Sequence, residues 1–226
     1  MMRKIPAAGA IAAALAILPA PAAAAPLVLR AIGPSATTYK QGRVLPDNSS
    51  LSLKAGDVLT VLVASGKRIL RGPGTFSLGG GAALASAFNP RGRFGALRSG
   101  EVATVPSLWD VDVSQSGTVC LADAAKVTLW RPEAANAGTL VLKTAGGASQ
   151  WLEWKAGQAT FDWPAALPIA EGKDYDLAWT GGDTAQLKFV RLAAVPDDLG
   201  ALAKALIDHG CQSQLDLLID STPTAQ

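Results

Sequence analysis

Residues 51–78 read LSLKAGDVLTVLVASGKRILRGPGTFSL, and the reading of this stretch decides the fold of the chain. Leu51 and Leu53 alternate with Ser52 and Lys54, and Gly56-Asp57 is a turn dipeptide. Val58 to Val63 is a β-branched and leucine run that requires a strand with a covered face. Ser65-Gly66 then reverses the chain, and Lys67 to Arg71 returns as a second strand with its cations available to solvent. Gly72-Pro73-Gly74 breaks that strand before Thr75 to Leu78 resumes. The segment is a β-hairpin by its own chemistry, and it names no reaction.

On the N-terminal side, Leu27 to Ile32 is a strand ended by Gly33-Pro34, and a polar connection from Tyr39 to Ser50 leads into the hairpin. On the C-terminal side, residues 79–100 carry many glycines and alanines, little alternation and no acid, which predicts a long mobile loop. Glu101 to Val105, Leu108 to Val113 and Thr118 to Leu121 return to strand pattern and are expected to complete the first sheet.

Six further short strands follow at roughly ten-residue spacing, the signature of a β-sandwich. They are Lys126–Trp130, Thr139–Lys143, Gln150–Trp154, Ala159–Trp163, Tyr175–Trp179 and Leu187–Leu192. Tyr175, Leu177 and Trp179 share one face of their strand, opposite Asp174 and Asp176. The last segment is helical. Asp197-Asp198 supplies the N-cap, Leu199, Leu202, Ala203, Leu206 and Ile207 form one apolar stripe, and Gly210 stops the helix. Gln212 to Ile219 predicts a second, shorter helix.

The strand, Gly56-Asp57 turn, second strand and following Arg68-Ile69-Leu70-Arg71-Gly72-Pro73-Gly74-Thr75-Phe76 resemble the β-domain of bacterial FecR-like periplasmic proteins. The likeness covers a quarter to a third of the chain. It implies a periplasmic β-domain, which in the FecR family proper is coupled to a membrane helix and a sigma-factor contact; no second hydrophobic span stands in this sequence. The whole chain more loosely resembles uncharacterised exported bacterial proteins that join such a domain to a tryptophan-rich β-module, a likeness that implies an architecture and no activity.

The N-terminus MMRKIPAAGAIAAALAILPAPAAAA has a basic start at Arg3 and Lys4, an apolar core from Ile11 to Leu18 and small residues at Ala22-Ala23-Ala24. This predicts a secretory signal cleaved after Ala24 and a periplasmic or secreted location. The apolar run is shorter than the ~20 residues a membrane span needs and is interrupted by Pro19 and Pro21. The chain holds 20 Lys and Arg against 18 Asp and Glu; loss of Arg3 and Lys4 would leave the two balanced, which argues against nucleic acid as a partner. Cys120 and Cys211 are the only cysteines. In an oxidising compartment they are expected to pair, the alternative being two separately buried thiols.

Catalytic chemistry finds little support. The single histidine, His209, sits in the last helical turn before Gly210, where it favours the helix dipole, and no Gly-x-Ser-x-Gly elbow accompanies it. No metal or cofactor site is expected. Asp110 with Asp112, and Asp174 with Asp176, stand two apart on strands, a separation glycosidases use, though strand alternation accounts for them equally. In Gln150-Trp151-Leu152-Glu153-Trp154, alternation makes Trp154 core and leaves Trp151 free to stack on a sugar. Lys67, Arg68, Arg71, Arg91, Arg93 and Arg98 form a run of cations with no acid between Val58 and Gly100.

The expected architecture is mainly β. It comprises a signal peptide (1–24), a FecR-like β-domain with a mobile loop (25–122), a tryptophan-rich β-sandwich-like module (123–195) and C-terminal helices and tail (196–226). The expected function is non-catalytic binding of an envelope protein through Arg68, Arg71, Arg91, Arg93 and Arg98. Polysaccharide binding at Trp151, or hydrolysis through aspartates, is the alternative.

Overall fold

The computed structural model describes residues 25–79, 90, 92 and 105–225. The expected signal peptide, most of the Gly79–Gly100 loop, nearly all of the Glu101–Val105 strand, and Arg91, Arg93 and Arg98 lie outside the described residues. The fold is mainly β, with two C-terminal helices.

The decisive stretch forms four strands. β1 (Leu27–Ile32) precedes β2 (Ser50–Leu53), β3 (Val58–Val63), β4 (Gly66–Arg71) and β5 (Gly74–Ser77). β1, β3 and β4 make one antiparallel sheet with β3 in the centre, while β2 pairs with β5. A central strand is buried on both faces, which is why Val58 to Val63 is continuously apolar apart from Thr60. One face, Leu59 and Val61 with Val28 and Leu70, packs on Leu51, Leu53 and Leu78. Full burial of each such leucine contributes on the order of 2 kcal/mol.

Two close approaches fix this unit. A Cβ on Gly72 would stand 2.0 Å from the Lys54 carbonyl oxygen, so only glycine lets β4 end there. Asp57 joins two turns: its carboxylate accepts the Ser35 N–H at 2.8 Å and the Lys54 N–H at 2.5 Å. Burial pushes this carboxyl up, but the bonds from Ser35 and Lys54, with the Lys54 charge, prevail and hold it below the ordinary carboxylate range.

The second unit is a sandwich. β6 (Val111–Asp112), β7 (Gly117–Leu121), β8 (Thr128–Trp130), β9 (Gly138–Thr144), β10 (Ser149–Trp154), β11 (Thr160–Asp162), β12 (Asp174–Trp179) and β13 (Thr184–Arg191) divide between two sheets. One runs β10-β9-β12-β13-β7, the other β11-β8-β6. Side chains of both meet in one core that includes Leu129, Leu140, Leu142, Trp154, Tyr175, Leu177, Leu187 and Phe189. The six strands expected between Lys126 and Leu192 are all present. The strands at 108–113 and 118–121 do not complete the first sheet as expected. β6 pairs parallel with β8, and β7 pairs parallel with β13 through Leu187↔Gly117 to Arg191↔Leu121. The partners β7 and β13, some seventy residues apart, leave no local sequence signal.

α1 (Leu199–Asp208) starts on Asp198, whose side chain accepts the Ala201 N–H at 2.7 Å, and ends at His209 before Gly210 with its positive φ. α2 (Gln212–Ser221) follows. Their apolar faces fill the space between the two β-units. Leu202, Leu206, Leu215 and Leu218 touch a cluster that takes Leu27, Leu29 and Leu62 from the first sheet and Leu108, Cys120 and Leu192 from the second unit. Cys120 and Cys211 are bonded, with Cα atoms 5.7 Å apart. The bond therefore ties the helices to the edge of the five-stranded sheet, not to the first sheet.

Candidate functional site

Two sheet surfaces bring candidate residues to solvent. The first is the helix-facing side of the β1-β3-β4 sheet. The register places Leu27, Leu62 and Lys67 in one row, Arg30, Thr60 and Ile69 in the next, and Ile32, Val58 and Arg71 in the last, all on this face. The helices cover the first row, and Arg30 pairs with Asp216 of α2. Beyond them, among the described residues, Ile32 and Ile69 are 57% and 46% exposed, while Thr60 between the edge strands is buried.

The expected cations divide in use. Lys67 and Arg68 are half-buried, and each also makes a bond within the fold. The Lys67 ammonium donates to the Ile219 carbonyl at 2.7 Å, at the C-terminal end of α2, and Arg68 donates to the Ser77 carbonyl at 2.7 Å. The Lys67 bond satisfies one of the orphan carbonyls at the end of α2. Arg71 alone of the three is exposed.

Backbone geometry adds to this surface. The Lys67 N–H donates to the Pro223 carbonyl and the Ala225 N–H to the Lys67 carbonyl, so the C-terminal tail pairs with the start of β4. Lys67 therefore directs its backbone away from β3, and by the alternation of an antiparallel ladder Ile69 and Arg71 do the same. Their outward N–H and C=O groups have no partner among the described residues.

The second surface is the outer face of the five-stranded sheet. Trp151 on β10 is 67% exposed, while Trp154 is buried, as alternation predicts. Trp151 stands opposite Val141, which stands opposite Ala178. In the adjoining row Asp176 accepts from the Gln186 amide at 2.9 Å, and one row further on Asp174 lies 3.4 Å from the Lys188 ammonium. Asp112 accepts from the Ser114 N–H and hydroxyl, which shapes a turn. These aspartates are thus spent on pairing and turns, and they do not converge beside Trp151.

A groove of about 910 Å³ lies elsewhere, lined by Asp123, Lys126, Asp162, Trp163 and Arg191. Two of its polar groups serve the loops. Asp123 accepts the Ala125 N–H at 2.9 Å, and the Trp163 indole donates to the Leu167 carbonyl at 2.6 Å. Among the described residues no group of three His, Cys, Asp or Glu could hold a metal ion, and no helix is long and apolar enough to cross a membrane.

One important residue gave no signal in the sequence. Arg131 is buried, with its guanidinium 5.0 Å from the ring centre of Trp154 and 5.7 Å from that of Trp179. It donates to the carbonyls of Gln158, Asn136 and Lys155 at 2.8–2.9 Å. Burial pushes its pKa down, yet three carbonyls and two indole faces hold it as a cation that clamps the 131–138 and 155–158 loops together. Nothing around residue 131 in the sequence separates such a clamp from a solvent-facing arginine at a strand end.

No protein family, curated protein or solved structure matches the chain.

Proposed function

We propose that this protein is a non-catalytic, exported bacterial envelope protein that binds a partner protein along the outer edge of β4. The observation that supports this reading is the strand edge at Ile69 and Arg71, which is unpaired among the described residues, with the exposed Ile69 side chain beside it. Such an edge accepts an extended segment by main-chain pairing, with an apolar side chain beside Ile69 and an acid against Arg71. Arg91, Arg93 and Arg98 extend the same charge bias. Export is supported by the basic and apolar N-terminus, and the Cys120–Cys211 bond is compatible with an oxidising compartment.

The test is capture from the envelope fraction of the native host with the mature chain as bait. Ile69→Asp combined with Arg71→Glu should lose the captured protein while keeping the melting temperature. The Arg91, Arg93 and Arg98 to Glu variant should weaken capture in a salt-dependent way, because exposed charges are screened beyond about 10 Å at 0.1 M salt. Equal recovery by wild type and all variants sinks the reading. The second reading, polysaccharide stacking, is favoured by one observation, the exposure of Trp151. It requires retention on envelope glycan that Trp151→Ser abolishes.

A further inference from the structure

Several sheet edges among the described residues carry identifiable devices, and β10 carries none of them. The outer edge of β1 is met by the 41–45 segment: Val28 donates to the Arg43 carbonyl, the Gly42 N–H to that of Val28, and the Leu45 N–H to that of Pro26. The outer edge of β7 is met by Gln214, whose side-chain amide takes the Cys120 N–H and donates to the Cys120 carbonyl. The start of β4 is met by the C-terminal tail, and Arg71 places a cation at its far end. Natural sheets blunt edges left bare with lysines, prolines, bulges or short strands. β10 is six residues long, pairs with β9 without a register shift and contains neither proline nor cation.

The register also fixes which groups β10 presents. The Thr180 N–H donates to the Thr139 carbonyl, so Thr139 turns its backbone toward β12 and away from β10. Its β10 partner Glu153 then faces outward, as do Trp151 and Ser149 two and four residues earlier. Three residues therefore offer N–H and C=O groups to the open edge, with their side chains on the exposed sheet face. No partner for these groups occurs among the described residues.

We propose that β10 is the interface of a two-fold dimer, formed by antiparallel pairing of β10 with β10 of a second copy of this chain, with the two Trp151 residues opposite each other. A two-fold interface must be self-complementary, and this strand is. With Trp151 at the axis, Ser149 of one copy meets Glu153 of the other, and the pairing repeats with the copies exchanged. Lys143 stands beside Ser149 in the sheet, and Asp176 beside Lys143. Across the junction the row then reads Glu153, Ser149, Lys143, Asp176, so neighbouring charges alternate in sign and like charges never meet. The two indoles cover each other, which removes the most exposed large apolar side chain among the described residues from water. The two five-stranded sheets become one continuous sheet.

The experiment is sedimentation equilibrium of the mature chain, disulfide intact, from low to high micromolar concentration. Twice the chain mass is expected. Trp151→Pro deletes an N–H that makes no bond to β9, so it should yield a monomer that melts like a freshly diluted wild type; Ser149→Glu, which leaves the backbone untouched and sets a carboxylate opposite Glu153 of the other copy at both symmetry-related positions, should also dissociate the dimer. Single cysteines read the register. Trp151→Cys should give a covalent dimer on mild oxidation because paired Cα atoms in such a position stand about 5.5 Å apart, whereas Ser149→Cys alone should not. The Ile69→Asp, Arg71→Glu variant should remain dimeric, which separates this interface from the β4 edge. A wild type that is monomeric throughout overturns the proposal, as does a dimer that survives both edge variants or cross-links equally through Ser149→Cys. A monomer retained on glycan through Trp151 overturns it in favour of sugar stacking.

Discussion

Gln214 stands in for a missing strand beside Cys120. Its side-chain carbonyl accepts the Cys120 N–H at 2.7 Å, and its amide donates to the Cys120 carbonyl at 2.9 Å, the pair of bonds that a sixth strand would have made. The same amide donates to the Leu108 carbonyl at 2.9 Å. Gln214→Leu leaves these buried groups unpaired and should cost about 2–3 kcal/mol. Gln214→Glu should cost at least as much at neutral pH, because a carboxylate cannot donate to the two carbonyls. Urea unfolding of both variants checks the order, and a Glu variant as stable as wild type would remove the strand-mimic account.

The disulfide beside Gln214 acts on the same edge. It closes a loop of 91 residues in sequence separation, for which chain entropy gives a contribution of about 4 kcal/mol. Cys120→Ser should lower stability by a few kcal/mol and leave the Cys211 thiol open to labelling after denaturation. Because Gln214 and Cys120 share an edge, the double variant should lose less than the two single losses added, as a double-mutant cycle reads directly.

Arg131→Met should destabilise by about 3 kcal/mol, since three buried carbonyls lose a charged donor and two indoles lose the cation beside their rings. Arg131→Lys should recover less than half of this. An ammonium is compact and cannot face two rings while reaching three carbonyls. Tryptophan fluorescence during urea unfolding reports the change, and equal stability of the Lys variant and wild type would show that charge alone suffices.

Asp57 sets a pH dependence of known sign. Its folded carboxyl lies below the ordinary value of about 3.9. Its contribution is therefore complete above that value and is lost as the pH falls through the lower folded value. Melting temperature should drop below about pH 4 more steeply in wild type than in Asp57→Asn, which should already melt lower at pH 7. Parallel curves for the two proteins would contradict the role of the Ser35 and Lys54 bonds.

Much of the fold was legible in residues whose neighbours in space are neighbours in sequence. The β3-β4 hairpin, the six strands from Lys126 onward, the Asp198 cap and the burial of Trp154 beside an exposed Trp151 all follow from local alternation and turn chemistry. The local turn and strand pattern also left the cations of Lys67 to Arg71 available to solvent. It is blind to the carbonyls of Ser77 and Ile219 that arrive from elsewhere. The membership of β7 was misread for the same reason, because its partner β13 comes some seventy residues later. Of the candidate surfaces, the exposure of Trp151 was readable, but the bare edge beneath it was not. Which backbone groups of a strand face outward depends on a register that only the assembled sheet fixes.

The shared helix cluster also imposes an order on folding. The hairpins of the sandwich close over short separations and can form as soon as their residues exist. Leu27, Leu29 and Leu62 cannot, since their covering side chains, Leu202, Leu206, Leu215 and Leu218, come nearly last in the chain. A polypeptide made from its N-terminus thus carries its earliest strands with one apolar side bare through almost the whole of synthesis. What is made first is finished last, and that waiting period is when these strands most need a chaperone's cover.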